Sequence, residues 1–316
     1  MDGEHLVEEC PRYPHSKAIH TMKQVVSISL GSSDQDFEFV TTFLGVQMRV
    51  QRIGTNGSTA EAVKRIKAWD RKADAIALGV LKDHYKVGSR RFIDRDSAKL
   101  KAVATHVPVS TGGRLGDIFQ EWAVRHAQTQ LGNFFNNARV LFFSGMSDYK
   151  LAQAMAEYTP NLQFADPLLQ LGVPKLLDSL DALNLYATGA HYVKDWTLPQ
   201  AMASTPVKEW TRYMLRKALQ HATVVVAPVH ELDDFGLEEL AGKTVVTATV
   251  NDARVAALRD KGVVTIVDGA PCLHGHVLGA ALLDAMIMAA TDKHSQDLLE
   301  DDYLEIITGL GLEPRV

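Results

Sequence analysis

"RVLFFSGMSDYKLAQAM", residues 139–155, runs from a strand-like apolar segment through a single glycine into a helix-like segment. Dinucleotide-binding domains hold a pyrophosphate at such a turn. Their glycines let backbone N–H groups approach the anion, and the helix N-terminus favours negative charge. Here only Gly145 stands where that fingerprint has several spaced glycines. One glycine still permits a tight turn, and Ser147 can donate a hydrogen bond. The next strand, "LQFADP" (162–167), ends in Asp166, at about the spacing from Gly145 where an acid holds the ribose hydroxyls of NAD. Asp148 points the other way: it sets a negative charge beside the phosphates, and as a helix N-cap it needs no ligand. Ser144, Gly145, Met146, Ser147 and Asp166 therefore read either as cofactor-binding positions for NAD, with NADP as the variant, or as an ordinary strand, turn and helix.

Strands and helices alternate on both sides of this stretch. A helix follows over Asp148–Tyr158, and residues 168–221 are irregular and helix-rich. "ATVVVAPV" (222–229), "KTVVTATV" (243–250) and "GVVTIVDG" (262–269) are nearly continuous apolar runs, as in strands covered by helices on both faces. A helix from about His276 to Ala290 closes this half. Upstream, "VVSISL" (25–30), "VQMRVQRI" (46–53) and "ADAIALGV" (73–80) are strands. "RRFIDR" and "THVPVS" are two shorter ones, with a helix near 96–104 between them. Ser58 and Glu61 form a capping box ahead of Ala62, Ile66 and Trp69 at helical spacing. From Asp117, the residues Ile118, Phe119, Trp122, Ala123 and Ala127 line one face of a long helix. The alternation predicts an α/β fold of two doubly wound, mainly parallel-sheet lobes, the second Rossmann-like. The expected division is a disordered leader over 1–23, an N-terminal lobe over 24–136 on the substrate side, a Rossmann-like lobe over 137–292 and an acidic helical tail over 293–316.

The composition, 46% hydrophobic and 22% charged over 316 residues, allows a substantial core. A net charge of −5 with no basic block speaks against nucleic-acid binding. The two cysteines, Cys10 and Cys272, make neither a disulfide framework nor a cysteine-based zinc site and suit a reducing cytoplasm. The longest apolar candidate, Val277–Ala290, is interrupted by Gly279 and Asp284 and reads as a buried helix, so no membrane span is expected. The leader lacks the apolar core of a secretory signal. The tail closes on "GLEPRV" with no evident stop, which leaves open a place in a larger multidomain protein as well as homo-oligomerisation.

Ligands of open α/β sheets sit beyond the carboxyl ends of the strands, so the residues that follow each strand carry the chemistry. In the first half these are Gly31, Ser32, Ser33 and Asp34; Gly54, Thr55, Asn56 and Gly57; and Thr111, Gly112 and Gly113. They are small and rich in hydroxyls, and read as substrate-binding turns or simply as tight turns. In the second half Pro228, Thr247 and Thr249 join the cofactor edge, and His230 follows a strand end where it can exchange a proton near neutral pH. Lys82 and Asp83 form a second candidate proton-transfer set. His274 and His276 with Asp268 resemble a metal set, but no helix places the histidines on one face, and no metal is expected.

"VVSISLGSSDQD", "RIGTNG", "FIDRD", "VLFFSGMSD", "LAGKTVVTATV" and "GVVTIVDGAPCLHGHVLGAALLDAMIMA" resemble a family of bacterial and archaeal proteins commonly labelled quinate 5-dehydrogenase, related by name to the shikimate dehydrogenases. The resemblance covers roughly residues 24–290 and implies two α/β lobes, the second Rossmann-like. True shikimate and quinate dehydrogenases carry a lysine in an Asn-Val-Thr-x-Pro-x-Lys stretch, a later catalytic aspartate and a fuller glycine fingerprint. None of these is recognisable here, and their catalytic residues do not carry over. The tail resembles larger proteins in which such a module precedes a second dehydrogenase-like domain.

Two functions follow as expectations. The first is an NAD(P)-dependent oxidoreductase of a small polar hydroxy or keto compound, with His230, Lys82 and Asp83 handling the proton. The alternative is a non-redox module that binds a small anion or a nucleotide within a larger protein or assembly.

Overall fold

The computed structural model describes residues 22–82, 84–193, 205–228, 231–232 and 240–316. The expected leader falls almost wholly outside them. The first half opens with β1 (Lys23–Ser29), β2 (Phe37–Phe43) and β3 (Val46–Gly54), then α1 (Thr59–Trp69) and β4 (Ala75–Gly79). It continues with a small hairpin of β5 (His84–Val87) and β6 (Arg90–Ile93), α2 (Arg95–Lys101), β7 (Val109–Ser110) and the long α3 (Gly113–Gln130). The sheet order is β2-β3-β1-β4-β7. β1 runs parallel to β3 and β4, and β4 parallel to β7, while β2 is an antiparallel edge strand on β3.

β2 was not expected; its turn into β3 is Leu44-Gly45, with both residues at positive φ, the geometry of a two-residue hairpin without the usual asparagine or aspartate. "RRFIDR" pairs antiparallel with β5 in a separate hairpin and does not join the sheet. α3 starts at Gly113, ahead of the expected Asp117, because Gly112 at φ 67 turns the chain directly from β7 into the helix. The α1 cap is as read: Ser58 accepts the N–H of Glu61, and Ala62 and Ile66 are buried.

The second half contains β8 (Val140–Phe142), α4 (Tyr149–Ala156), β9 (Leu162–Phe164), α5 (Asp166–Leu171), α6 (Leu180–Val193), α7 (Thr205–His221), β10 (Val224–Val226), β11 (Thr244–Thr247), α8 (Asp252–Asp260) and β12 (Thr265–Asp268). Its sheet is parallel throughout, in the order β12-β11-β10-β8-β9. The apolar runs are explained by burial on both faces. Phe142, Val224, Val226 and Val246 pack toward α4, whereas Leu141, Val225 and Val245 pack toward α7 and α8. The chain ends with a hairpin of β13 (Cys272–Leu273) and β14 (His276–Val277), then α9 (Ala280–Thr291) and α10 (Glu300–Gly309).

The helix expected to close the second half covers the first sheet. Leu282, Leu283, Met286 and Ile287 of α9 share a core with Val25, Met48, Val50, Ala75 and Ala77. Each such buried side chain stabilises the fold by about 1.5–3 kcal/mol relative to exposure. α9 is apolar on nearly all sides, a pattern that predicts burial but not the surface that buries it. α3 spans both cores: Leu115, Ile118 and Phe119 face the first sheet's cluster, and Ala123, Val124 and Ala127 face the second's. Among the described residues, no helix is long and apolar enough to cross a membrane.

Candidate functional site

Both sheets reverse their winding at one place. In the first sheet the chain moves from β1 outward to β3 on one side and to β4 and β7 on the other. In the second it moves from β8 to β9 on one side and to β10, β11 and β12 on the other. At such reversals, here marked by the loops after β1 and β4 and after β8 and β10, open α/β sheets hold their ligands in a crevice.

Lys82, in the loop after β4, joins the two places. Its ammonium donates to the Ser147 carbonyl at 2.7 Å, in the turn after β8, and to Asp117 Oδ1 on α3 at 2.8 Å. On the same side of α3, Gln120 Nε2 donates to Asp148 Oδ1 at 3.3 Å. Burial pushes the Asp148 carboxyl up from its ordinary value; the Lys82 charge and the Gln120 hydrogen bond oppose this, and the Asp117 charge adds to it. Across the crevice, Ser144 Oγ donates to Glu231 Oε1 at 3.1 Å. The expected partner of Lys82, Asp83, lies outside the described residues, as does His230.

The turn after β8 is built differently from a phosphate cradle. The two carboxylate oxygens of Asp166 accept the N–H groups of Gly145 and Met146, each at 2.9 Å. These are the donors that a pyrophosphate would need. Asp166 is fully buried, and burial pushes its carboxyl up to about 6; the backbone hydrogen bonds oppose the rise and the Asp148 charge adds to it. Gly145 is required here because a methyl group in its place would sit 2.3 Å from the Phe164 ring.

The position expected to hold an adenosine ribose is covered by the β5–β6 hairpin of the first half. Val87 and Phe92 lie in one core with Phe142, Met146, Tyr149 and Phe164. Tyr85 stacks on Phe92 at 5.3 Å. Burial pushes the Tyr85 hydroxyl up to about 12, with the charges of Asp166 and Asp94 adding to the rise. Tyr186, whose hydroxyl donates to Gln170 at 3.2 Å, is pushed up by the same combination of burial and the Asp166 charge.

Asp268 repeats the device at the other edge of the sheet. It ends β12 and accepts the N–H groups of Thr249 and Val250 at 2.8 and 2.9 Å, and that of Ala270 at 2.8 Å, while Arg315 pairs with it. This fixes Thr249 at φ 64. The Thr247 hydroxyl is buried with no partner among the described residues, and Pro228 is half-buried at the end of β10.

The first-half turns are zipped to one another. Thr55 N donates to Ser29 O, Asn56 N to Gly31 O and Gly57 N to Leu30 O. Ser33 N donates to Asn56 Oδ1 at 2.8 Å, Gly31 N to Ser29 Oγ at 3.1 Å and Gly54 N to Asp36 Oδ1 at 2.6 Å. Ser32 supplies its carbonyl to Arg52. These N–H groups are thus spent within the turns. Gly112 faces the start of α9, where an added methyl would lie 2.3 Å from Ala281 N, and neighbouring Thr111 and Gly113 flank that contact. Behind it, buried Asp284 accepts from Ser110, Ser295 and Tyr303, tying β7, α9 and α10 together. His274 meets the Thr41 hydroxyl at 2.7 Å, and His276 stacks on Phe37 and Phe39.

The structure therefore brings together Lys82, Ser144 and Ser147 from the expected set, and adds Asp117, Gln120, Asp148 and Glu231. Asp117 lies 35 residues from Lys82. Its one visible signal is an acid in the first turns of a helix that follows a strand.

The molecule is an α/β protein with two parallel-rich sheets joined at their reversal points. The chain belongs to the family described as Domain of unknown function (DUF8754), whose profile matches residues 114–316. Residues 24–111 match a second family, Domain of unknown function (DUF8753). The border between the two matches falls at the Thr111–Gly113 turn, where β7 gives way to α3. No curated protein matches the chain. Among solved structures, one from Mycobacterium smegmatis is similar over 86% of this chain and 86% of its own, with 12% identity and a TM-score of 0.30.

Proposed function

We propose that the chain is a non-redox module that binds a small polar molecule in the crevice around Lys82, Asp117, Ser144, Asp148 and Glu231. The observation that carries this reading is the Asp166 carboxylate on the N–H groups of Gly145 and Met146. A pyrophosphate at that turn would have to displace a buried carboxylate and then lie beside Asp148. The residues present do not fit a dinucleotide. The second sheet counts 2-1-3-4-5 within itself, which supports a doubly wound, Rossmann-like assignment and a ligand at the β8/β10 reversal.

The charge balance selects the ligand. Lys82 pairs with Asp117 and its charge acts on Asp148, while the Ser144 hydroxyl donates to Glu231, so among the described residues acids outnumber cations here. An anion is repelled there, so the ligand is a neutral polyhydroxylated compound or an amine. A second reading is favoured by the Lys82–Asp117 pair alone: an oxidoreductase of a small hydroxy or keto compound, in which this pair exchanges a proton with the substrate hydroxyl and NAD or NADP takes the hydride.

A thermal-shift screen of the full chain against polyols, amines, carboxylates and phosphates tests the proposal. A polyol or amine at about 100 times its Kd stabilises by about 2.7 kcal/mol, a shift of several degrees. Lys82→Met abolishes a shift caused by a polyol, and Asp117→Asn one caused by an amine. Lys82→Met also lowers the unliganded stability, by about 1–3 kcal/mol, because Lys82 holds Asp117 and the Ser147 carbonyl, so each shift is read against the variant's own melting temperature. Stabilisation by anions alone, or a shift that survives both variants, overturns the assignment.

A further inference from the structure

We propose that β2 is a self-association edge. A second copy of this chain adds its own β2 antiparallel to it, about a two-fold axis at Val40, and the two first-half sheets become one continuous sheet.

The edges of the two five-stranded sheets are not treated alike. In the second sheet β9 is closed by Leu177, which exchanges both backbone hydrogen bonds with Phe164, and β12 by Arg315, which does the same with Asp268. In the first sheet β7 is only two residues long. β2 is seven residues long, "FEFVTTF", and pairs with β3 over its whole length without a bulge. It carries no proline and no lysine, the residues that usually blunt an exposed edge. Its single charge, Glu38, is answered within the chain by Arg49 at 3.1 Å. Val40, at the middle of the strand, is 57% exposed.

The two-residue turn at Leu44-Gly45 sets which backbone groups remain open. Phe43 and Val46 flank it as a hydrogen-bonded pair, so Thr41, Phe39 and Phe37 also bond to β3. Glu38, Val40 and Thr42 then aim their N–H and C=O groups away from the sheet. Among the described residues no backbone group accepts from or donates to them on that side. With the axis at Val40, Val40 faces the partner's Val40, Glu38 faces the partner's Thr42, and Thr42 faces the partner's Glu38. Each of these pairs exchanges two N–H···O bonds. This register uses every open group of the strand, sets an apolar residue on the axis and places no charge against its like. An axis at Glu38 would instead oppose two carboxylates. The same patch thus serves both copies, as a closed two-fold dimer requires. One strand pair lies at the small end of specific interfaces, so the association is reversible and follows concentration.

Sedimentation velocity of the full chain from low micromolar to several hundred micromolar tests this. The weight-average mass rises from monomer toward dimer, and amide exchange at Glu38, Val40 and Thr42 slows as the concentration rises. Two variants place one lysine each on the same exposed face of β2. Val40→Lys sets like charges against each other on the axis and weakens the dimer by roughly tenfold or more. Thr42→Lys sets the new lysine opposite the partner's Glu38, twice by symmetry, and tightens the dimer at low salt. Both melt near the wild type when dilute, because both positions are exposed. A chain that stays monomeric, or a dimer that Val40→Lys leaves intact, overturns the proposal. Equal weakening by the two variants overturns the register. Slow exchange at the three amides at every concentration also overturns it, since a segment of the same chain would then cover the edge.

Discussion

Asp166 holds the backbone N–H of Gly145 at 2.9 Å, across a turn that in a dinucleotide-binding domain would hold a phosphate. The acid and the glycine occupy the expected positions, yet they satisfy each other. A carboxylate from the neighbouring strand fills the anion position from inside the fold.

This internal anion gives the stability a pH dependence. The folded-state value of Asp166 is about 6, against 3.8 for the free side chain, and burial is the main cause. Because the folded value is the higher one, the native state retains the proton longer. The stability linked to that proton is fully present below about pH 3.8 and is lost as pH rises through about 6. Asp166→Asn cannot ionise. The advantage of the wild type over this variant should therefore shrink by about 2 kcal/mol between pH 4 and pH 7. Urea denaturation of both proteins across that range measures it. Parallel pH profiles would show that Asp166 titrates as an ordinary carboxyl.

Gly145→Ala tests the close approach at the same turn. The added methyl meets the fully buried Phe164 ring at 2.3 Å and Asp166 Oδ2 at 3.1 Å. Neither can yield without disturbing the β8–β9 core, so the expected cost is about 1–3 kcal/mol. A denaturation midpoint equal to the wild type would mean that the turn is looser than described.

The interlock of the two halves makes them one folding unit. Leu283 on α9 is fully buried against a sheet formed by residues some 200 positions earlier. Leu283→Ala should cost about 2–5 kcal/mol. Residues 22–112 expressed alone leave that face of the sheet bare and should show no cooperative unfolding transition. A fragment that melts cooperatively would contradict this dependence.

What the sequence made legible was what has a local cause. The strands of the second sheet announce themselves because burial on both faces makes each a continuous apolar run, and α1 because Ser58 caps it. β2 stayed hidden although "FEFVTTF" contains alternating apolar residues: its turn uses Leu44 at φ 49, where asparagine or aspartate would have signalled a hairpin. The surface covered by α9 was not legible, since an all-apolar helix says only that it is buried. In the crevice, Lys82 and Asp166 could be singled out because they follow strands. Their partners could not. Asp117 meets Lys82 through the packing of α3, and whether the Asp166 carboxylate turns to a ribose or to the backbone of Gly145 depends on side-chain direction, which residue order does not encode.

The Asp166 carboxylate occupies the N–H donors of the turn after β8, which closes that turn to the pyrophosphate of a dinucleotide in the function proposed above. Isothermal titration of the full chain with NAD and with NADP tests this most directly. Neither dinucleotide should give saturable heat up to millimolar concentration. Saturable binding of either with a micromolar Kd, weakened by Gly145→Ala, would contradict it.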